Sequence, residues 1–126
     1  MVIQRLVELK ELPVHIHIGP TVRSVDGLAL SSRNMRLSEA GKHKALCIFR
    51  ALSYIKAHIH NQSIPQVKEA ALHILTEDEE VTVEYLAICT ARTLAETTRI
   101  EPGQTYVALV VAWIEGVRLI DNMILT

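Results

Sequence analysis

Thr105-Tyr-Val-Ala-Leu-Val-Val-Ala-Trp-Ile114, then Glu115-Gly116, then Val117-Arg-Leu-Ile-Asp-Asn-Met-Ile-Leu125, is the stretch that decides the fold. Two runs of strand-forming residues flank a two-residue link that ends in glycine, which is the chemistry of a tight antiparallel hairpin. Upstream, Val81-Thr-Val-Glu-Tyr-Leu-Ala-Ile-Cys89 has the same composition and reads as a third strand. A loop carrying Glu101-Pro102-Gly103 joins it to the hairpin. Trp113 lies inside the apolar pattern and is expected in the core.

Ahead of these strands the periodicity changes from two to the helical value. Ser38 can cap a helix over about 39–60, with Ala45, Ile48, Phe49, Leu52, Ile55 and Ile59 as its apolar stripe. Asn61-Gln62 breaks it. Ser63 and Gln66 then form a capping box for a shorter helix that buries Val67, Ala70, Ala71, Ile74 and Leu75. Helices grouped before an antiparallel meander predict an α+β fold, with helices packed on a small antiparallel sheet, rather than a doubly wound one.

Further out, residues 2–10 place Val2, Ile3, Leu6, Val7 and Leu9 on one helical face. This helix starts at Met1 with no capping residue ahead of it, so the chain is expected to have been cut from a longer protein. Pro13 ends the segment. Val14-His15-Ile16-His17-Ile18 alternates with period two and predicts a half-buried strand. Residues 19–38, with Gly19-Pro20 and Asp26-Gly27, read as loop and turns.

Composition excludes several function classes. The 126 residues, 14.1 kDa, suit one domain. Basic and acidic residues number 13 and 14, so no overall field draws nucleic acid or an anionic membrane. The longest apolar run, Tyr106–Ile114, is too short to span a membrane, and a cytoplasmic location is expected. Cys47 and Cys89 lack CxxC spacing and sit among apolar neighbours, so they are expected as reduced core thiols. His15 and His17 share one strand face but have no third ligand nearby, and no metal site is expected. Glu77-Asp78-Glu79-Glu80 follows a helix end, where negative charge is unfavourable, and reads as a solvent-facing turn.

The stretch that could carry chemistry is Thr21-Val-Arg-Ser-Val-Asp-Gly-Leu-Ala-Leu-Ser-Ser-Arg-Asn34. Ser31, Ser32 and Arg33 put two hydroxyls beside a planar guanidinium, donors that suit the oxygens of a phosphate or polyphosphate. Arg23 adds a second cation above the Asp26-Gly27 turn. A charged loop with a hinge-like glycine is also the kind of element that closes over a substrate. Taken alone, however, Ser-Ser-Arg-Asn reads as a solvated loop.

The whole string is more specific than its parts. Val22-Arg23, Asp26 through Asn34 and Leu37-Ser38 resemble the signature of the pantothenate synthetase family. A second block, Val110-Val-Ala-Trp113, Gly116 and Arg118-Leu-Ile-Asp-Asn122, is similar to that family's C-terminal ending. Leu12–Val14 and Thr93-Leu94 agree as well, and the resemblance extends over the whole chain. Family members condense pantoate with β-alanine using ATP. The pantoate carboxylate attacks the α-phosphorus to give pantoyl adenylate and pyrophosphate, and β-alanine then displaces AMP.

The resemblance implies that residues 21–126 are a C-terminal lid domain closing over ATP. Residues 1–20 would be a remnant helix and strand of the Rossmann-like N-terminal domain, with a linker. Carried over by position, Leu30, Ser31, Ser32 and Arg33 would line the ATP phosphates, and the backbone near Val22 would touch the adenine side. The expected ligands are ATP, with Mg2+ in the complete enzyme and none held tightly by this chain. Pantoate and β-alanine would be reached through an N-terminal domain of the same enzyme. The family's His-x-x-His motif and its Lys-Asp…Gln segment are not in these residues, so no catalytic residue is assigned and the chain alone is expected to be inactive. Thr90 stands where an acidic residue is usual, which bears on local packing.

The rival reading is a non-catalytic α+β ligand-sensing or interaction module, which would present an apolar surface instead of a cationic loop. The uncovered apolar face of residues 2–9 and the 14–18 strand edge also predict self-association into a dimer or larger oligomer.

Overall fold

A computed structural model describes residues 1–126. Its elements are α1 (Val2–Leu9), α2 (Glu39–His58), α3 (Ile64–Leu75), β1 (Val81–Thr90), β2 (Tyr106–Ile114) and β3 (Val117–Leu125), with one 3-10 turn at Ser32–Arg36. The strands form one antiparallel sheet in the order β1-β2-β3, as the meander reading expects. Helices α2 and α3 cover one of its faces.

The hairpin turn is where the sequence predicts it. Glu115 and Gly116 both have positive φ, 51° and 73°, the backbone twist that matches two right-twisted strands. A glutamate is unusual in that conformation, and its carboxylate has a compensating task. It accepts the Ser38 backbone N–H at 2.8 Å and the Ser38 hydroxyl, while Ser38 Oγ caps α2 by accepting Gly41 N–H at 3.0 Å. Those Ser38 bonds, the hydroxyl's first, hold the Glu115 carboxyl below its ordinary range. The tip of the hairpin is thereby tied to the start of α2, and Gly41 leaves the room: a Cβ there would lie 2.5 Å from the carboxylate.

Pairing register decides which side chains enter the core. Tyr106, Ala108, Val110, Ala112 and Ile114 of β2 face the helices, opposite Val117, Leu119 and Leu125 of β3. They meet Ala45, Ile48, Leu52 and Ile55 of α2 and Val67, Ala71 and Leu75 of α3. Leu52, Ile55, Leu75 and Ile114 are fully enclosed. Each large aliphatic removed from water in this way contributes about 1.5–3 kcal/mol. The capping box at Ser63 and Gln66 forms as the sequence predicts and opens α3.

β1 contains an irregularity that its sequence does not announce. Val83 pairs with Ala112 and Tyr85 with Val111, leaving Glu84 as an extra residue. Beyond this bulge Leu86 and Ile88 continue the helix-facing row, and Tyr85, Ala87 and Cys89 pass to the other face. That outer face is apolar and only partly covered, with Tyr85, Ile120 and Ile124 exposed beside Trp113.

Two sequence expectations fail here. Trp113 is 40% exposed on the outer face, not in the core. Its neighbours Ala112 and Ile114 take the helix side, and alternation sends Trp113 outward. Val14–Ile18 forms no strand: the segment has no regular structure and every one of its residues is exposed. Period two describes any extended chain, whereas a strand requires a ladder, and no segment of this chain pairs with it. α1 forms as expected but has no buried residue, so its apolar face is open.

Cys47 and Cys89 are free and buried, as read from sequence, and burial pushes the Cys47 thiol up to about 11. The acidic turn is partly neutralised by α2, through Lys44 to Asp78 and Glu80 and through Arg50 to Glu77.

Candidate functional site

The 21–34 stretch is a built element, more ordered than a solvated loop. Val22 and Leu30 stand at the open end of a short antiparallel ribbon, with Leu30 N–H donating to Val22 O at 2.9 Å and Ser24 N–H to Leu28 O at 2.9 Å. Arg23 and Ala29 pair across it. The Asp26-Gly27 turn closes the ribbon, Gly27 N–H donating to Ser24 O at 3.0 Å. Gly27 has φ of +99°, and a Cβ at this position would lie 2.2 Å from the Phe49 ring. Only glycine allows that turn to rest on α2.

Arg23 is turned into the protein, so the expectation of a second phosphate cation is overturned. Its guanidinium donates to Asp121 through two nitrogens, at 2.6 and 3.0 Å, and to Gly27 O at 3.0 Å. It also lies 4.9 Å over the Phe49 ring. Asp121 is 6% exposed and takes a further bond from Asn122 N–H at 2.7 Å. A buried carboxylate needs such a partner, because desolvation of an unpaired charge is costly. The pair spans 98 positions of sequence, and no local pattern reveals it.

Asn34 is the second anchor. It is buried, its amide nitrogen donates to Ala29 O at 2.9 Å, and its amide oxygen accepts the Ser31 hydroxyl at 3.0 Å. Asn34 N–H closes the turn onto Ser31 O at 3.2 Å. These bonds set the conformation of the residues between them. Ser32 and Arg33 are exposed there, and neither side chain makes a hydrogen bond or ion pair within the chain.

The five sequence-assigned residues therefore fall on one ribbon end, in different settings. Leu30, Ser31 and Arg33 line a cleft of about 210 Å³ between the ribbon, α2 and β3, which Phe49, Ile120 and Asn122 also line. Val22 and Ser32 are exposed beside it and do not line it. The arrangement offers a free guanidinium and hydroxyls at the edge of an apolar-floored cleft. That combination can hold an anionic group and a flat apolar one together.

Arg118, which also lines the cleft, is engaged elsewhere. It grips Glu84 at 2.8 and 2.7 Å, and the Trp113 indole N–H donates to the same carboxylate at 2.8 Å. The Arg118 bonds, then the Trp113 bond, hold the Glu84 carboxyl down to about 2. Sequence reading missed this cluster because it depends on the β1 bulge. No group of three or more His, Cys, Asp or Glu side chains is placed to hold a metal ion. His15 and His17 are exposed on the unpaired segment. No helix is long and apolar enough to cross a membrane.

Residues 1–124 match the Pantoate-beta-alanine ligase family. Pantothenate synthetase of Cytophaga hutchinsonii is 39% identical over 126 residues, a match that covers 98% of this chain and 44% of the relative. That of Wolinella succinogenes is 43% identical over 125 residues, again 98% of this chain and 44% of the relative. Among solved structures, pantoate-β-alanine ligase (pantothenate synthetase) from Thermus thermophilus superimposes with a TM-score of 0.87 at 34% identity, over 97% of this chain and 44% of that one. Pantoate-β-alanine ligase from Francisella tularensis, solved in complex with β-γ ATP and β-alanine, shares the fold at a TM-score of 0.57 and 20% identity, over 97% and 38% of the two chains. The chain thus spans under half the length of the relatives it matches. With the signature loop, the C-terminal block and the fold all in agreement, the chain belongs to the pantoate-β-alanine ligase family.

Proposed function

We propose that this chain acts as the C-terminal lid of a pantothenate synthetase, closing over ATP while pantoate is adenylated and then condensed with β-alanine to give pantothenate, AMP and pyrophosphate. The observation that carries the reading is the outward, unengaged pair Ser32 and Arg33 beside a ribbon whose Arg23, Ser31 and Asn34 side chains are bonded within the chain. Leu30, Ser31, Ser32 and Arg33 face the ATP phosphates, and the Val22 backbone faces the adenine. The Arg33 guanidinium and the hydroxyls offset charge as pyrophosphate leaves. A donor aimed at developing charge is worth about 3–4 kcal/mol in the transition state.

The Francisella structure with β-γ ATP supports ATP as the ligand class at the level of the fold. The donors on the loop suit phosphate oxygens and not a metal ion. Magnesium accompanying ATP would be held by the triphosphate and by residues outside positions 1–126, since no acidic or imidazole cluster faces the loop. Pantoate, β-alanine and the catalytic groups that handle them belong to an N-terminal domain, the partner of this lid. Residues 1–20 go with that domain: α1 buries nothing here and residues 13–18 have no strand to pair with. The same open surfaces support self-association of the chain on its own. The proposed location is the cytoplasm.

The test is AMP release dependent on pantoate and β-alanine, measured for the full-length protein and for residues 1–126 in parallel. Release by the former and none by the latter is expected. A folded full-length protein that releases no AMP would move the non-catalytic interaction module ahead.

A further inference from the structure

We infer that Asp121, acting through Arg23, is a positioning residue for the phosphate-facing loop. The inference rests on the proposed ATP role of Ser31–Arg33. Asp121 lies on β3, in the wall of the same cleft, and makes no hydrogen bond or ion pair to the residues assigned to ATP. Its carboxylate instead holds both Arg23 terminal nitrogens. Arg23 passes the constraint on in two directions. One nitrogen donates to Gly27 O at the turn, and the residues flanking Arg23 bond across the ribbon, Val22 O to Leu30 N–H and Ser24 N–H to Leu28 O, which sets Ala29 opposite Arg23. Ala29 O in turn receives the Asn34 amide, and Asn34 holds the Ser31 hydroxyl. Side-chain bonds and the ribbon's own backbone together therefore connect the sheet to the two ends of the segment that carries Ser32 and Arg33.

The layers on either side restrict the ribbon further. Gly27 rests on Phe49 too closely for any Cβ, and the Arg23 guanidinium lies over the same ring. The ribbon has no other salt bridge to the body of the protein. With Asp121 neutralised, the ribbon keeps its Phe49 contact but loses the charged fork that sets its angle. A bidentate arginine–carboxylate pair fixes orientation as well as distance, so a single-bonded replacement leaves Arg33 displaced from its ligand.

The experiment uses the full-length protein and steady-state pyrophosphate release with ATP, pantoate and saturating β-alanine, so that each turnover reports one adenylation. Arg33→Ala, Asp121→Asn and the double variant are compared, with circular dichroism to establish folding. The expected result is a tenfold to hundredfold fall in kcat for Asp121→Asn, with the KM for pantoate unchanged. The double variant is expected to be no slower than Arg33→Ala alone, because Asp121 acts through Arg33 and its neighbours. If Asp121→Asn does not fold, Arg23→Lys, which keeps the charge and loses the fork, is carried through the same cycle with the same expectation. A kcat within twofold of the parent, or losses that multiply in the double variant, would overturn the inference. A full rate in Arg33→Ala would instead sink the ATP assignment itself, whatever Asp121 does.

Discussion

Arg23 and Arg33 sit ten positions apart on the same ribbon and have opposite fates. The inner region, Arg23 with Gly27 and Asn34, is closed: each polar group has a partner inside the chain. The outer region, Ser32 and Arg33, has none. Two identical side chains thus divide into one that holds the structure and one that is left unpaired at the surface. Residue type and local motif identify a cationic loop, while tertiary pairing decides which cation is free. That pairing also separates two kinds of loss: the outer region should fail in rate alone, whereas the inner region should fail in stability and, through the loop it positions, in rate.

The largest effect that would break this comparison is on the inner side. Arg23→Ala leaves the Asp121 carboxylate buried beside an empty space and is expected to cost about 3 kcal/mol of stability, read by urea denaturation. Arg33→Ala should change stability by no more than about 0.5 kcal/mol in the same assay. Equal losses would mean that the two arginines are not distinct in kind. A smaller effect is expected at the second anchor. Asn34→Ala deprives Ala29 O of its donor and frees the Ser31 hydroxyl, and a loss of about 1–3 kcal/mol is predicted.

The smallest expected effect lies on the opposite side of the sheet and sharpens the boundary of the comparison. Glu84 has its carboxyl lowered from 4.5 to about 2 by Arg118 and Trp113. A depressed folded value means that the stabilisation is fully present above pH 4.5 and is lost as pH falls through 2. Trp113 is the single tryptophan, so its fluorescence reports this cluster alone. A fluorescence change centred near pH 2, absent in Glu84→Gln, is expected while the core helices persist. A transition centred near 4.5 would show that Glu84 is not held by its partners.

How much of this was legible in the sequence follows from the range of each interaction. The Glu115-Gly116 hairpin, the Ser63–Gln66 capping box and the α2 stripe are local, and each appears where the residues place it. Val14–Ile18 misleads because alternation records extension and says nothing about a neighbour. Trp113 misleads because an apolar run does not reveal which face of a sheet the helices cover. The Glu84 bulge turns half of β1 over without any glycine or proline to mark it. At the site, the Ser31-Ser32-Arg33 donors were readable from their chemistry. The Arg23–Asp121 pair was not, because its two halves are 98 residues apart and each resembles an ordinary surface charge.

The most direct test of the account is the adenylation rate of the full-length protein with Arg33→Ala, set beside its unfolding curve. A fall in kcat of about 10²–10³-fold is expected, the scale for loss of a donor to developing charge. An unfolding midpoint close to that of the parent and an unchanged KM for pantoate are expected with it. An undiminished rate, or a loss of rate matched by a loss of stability, would contradict it.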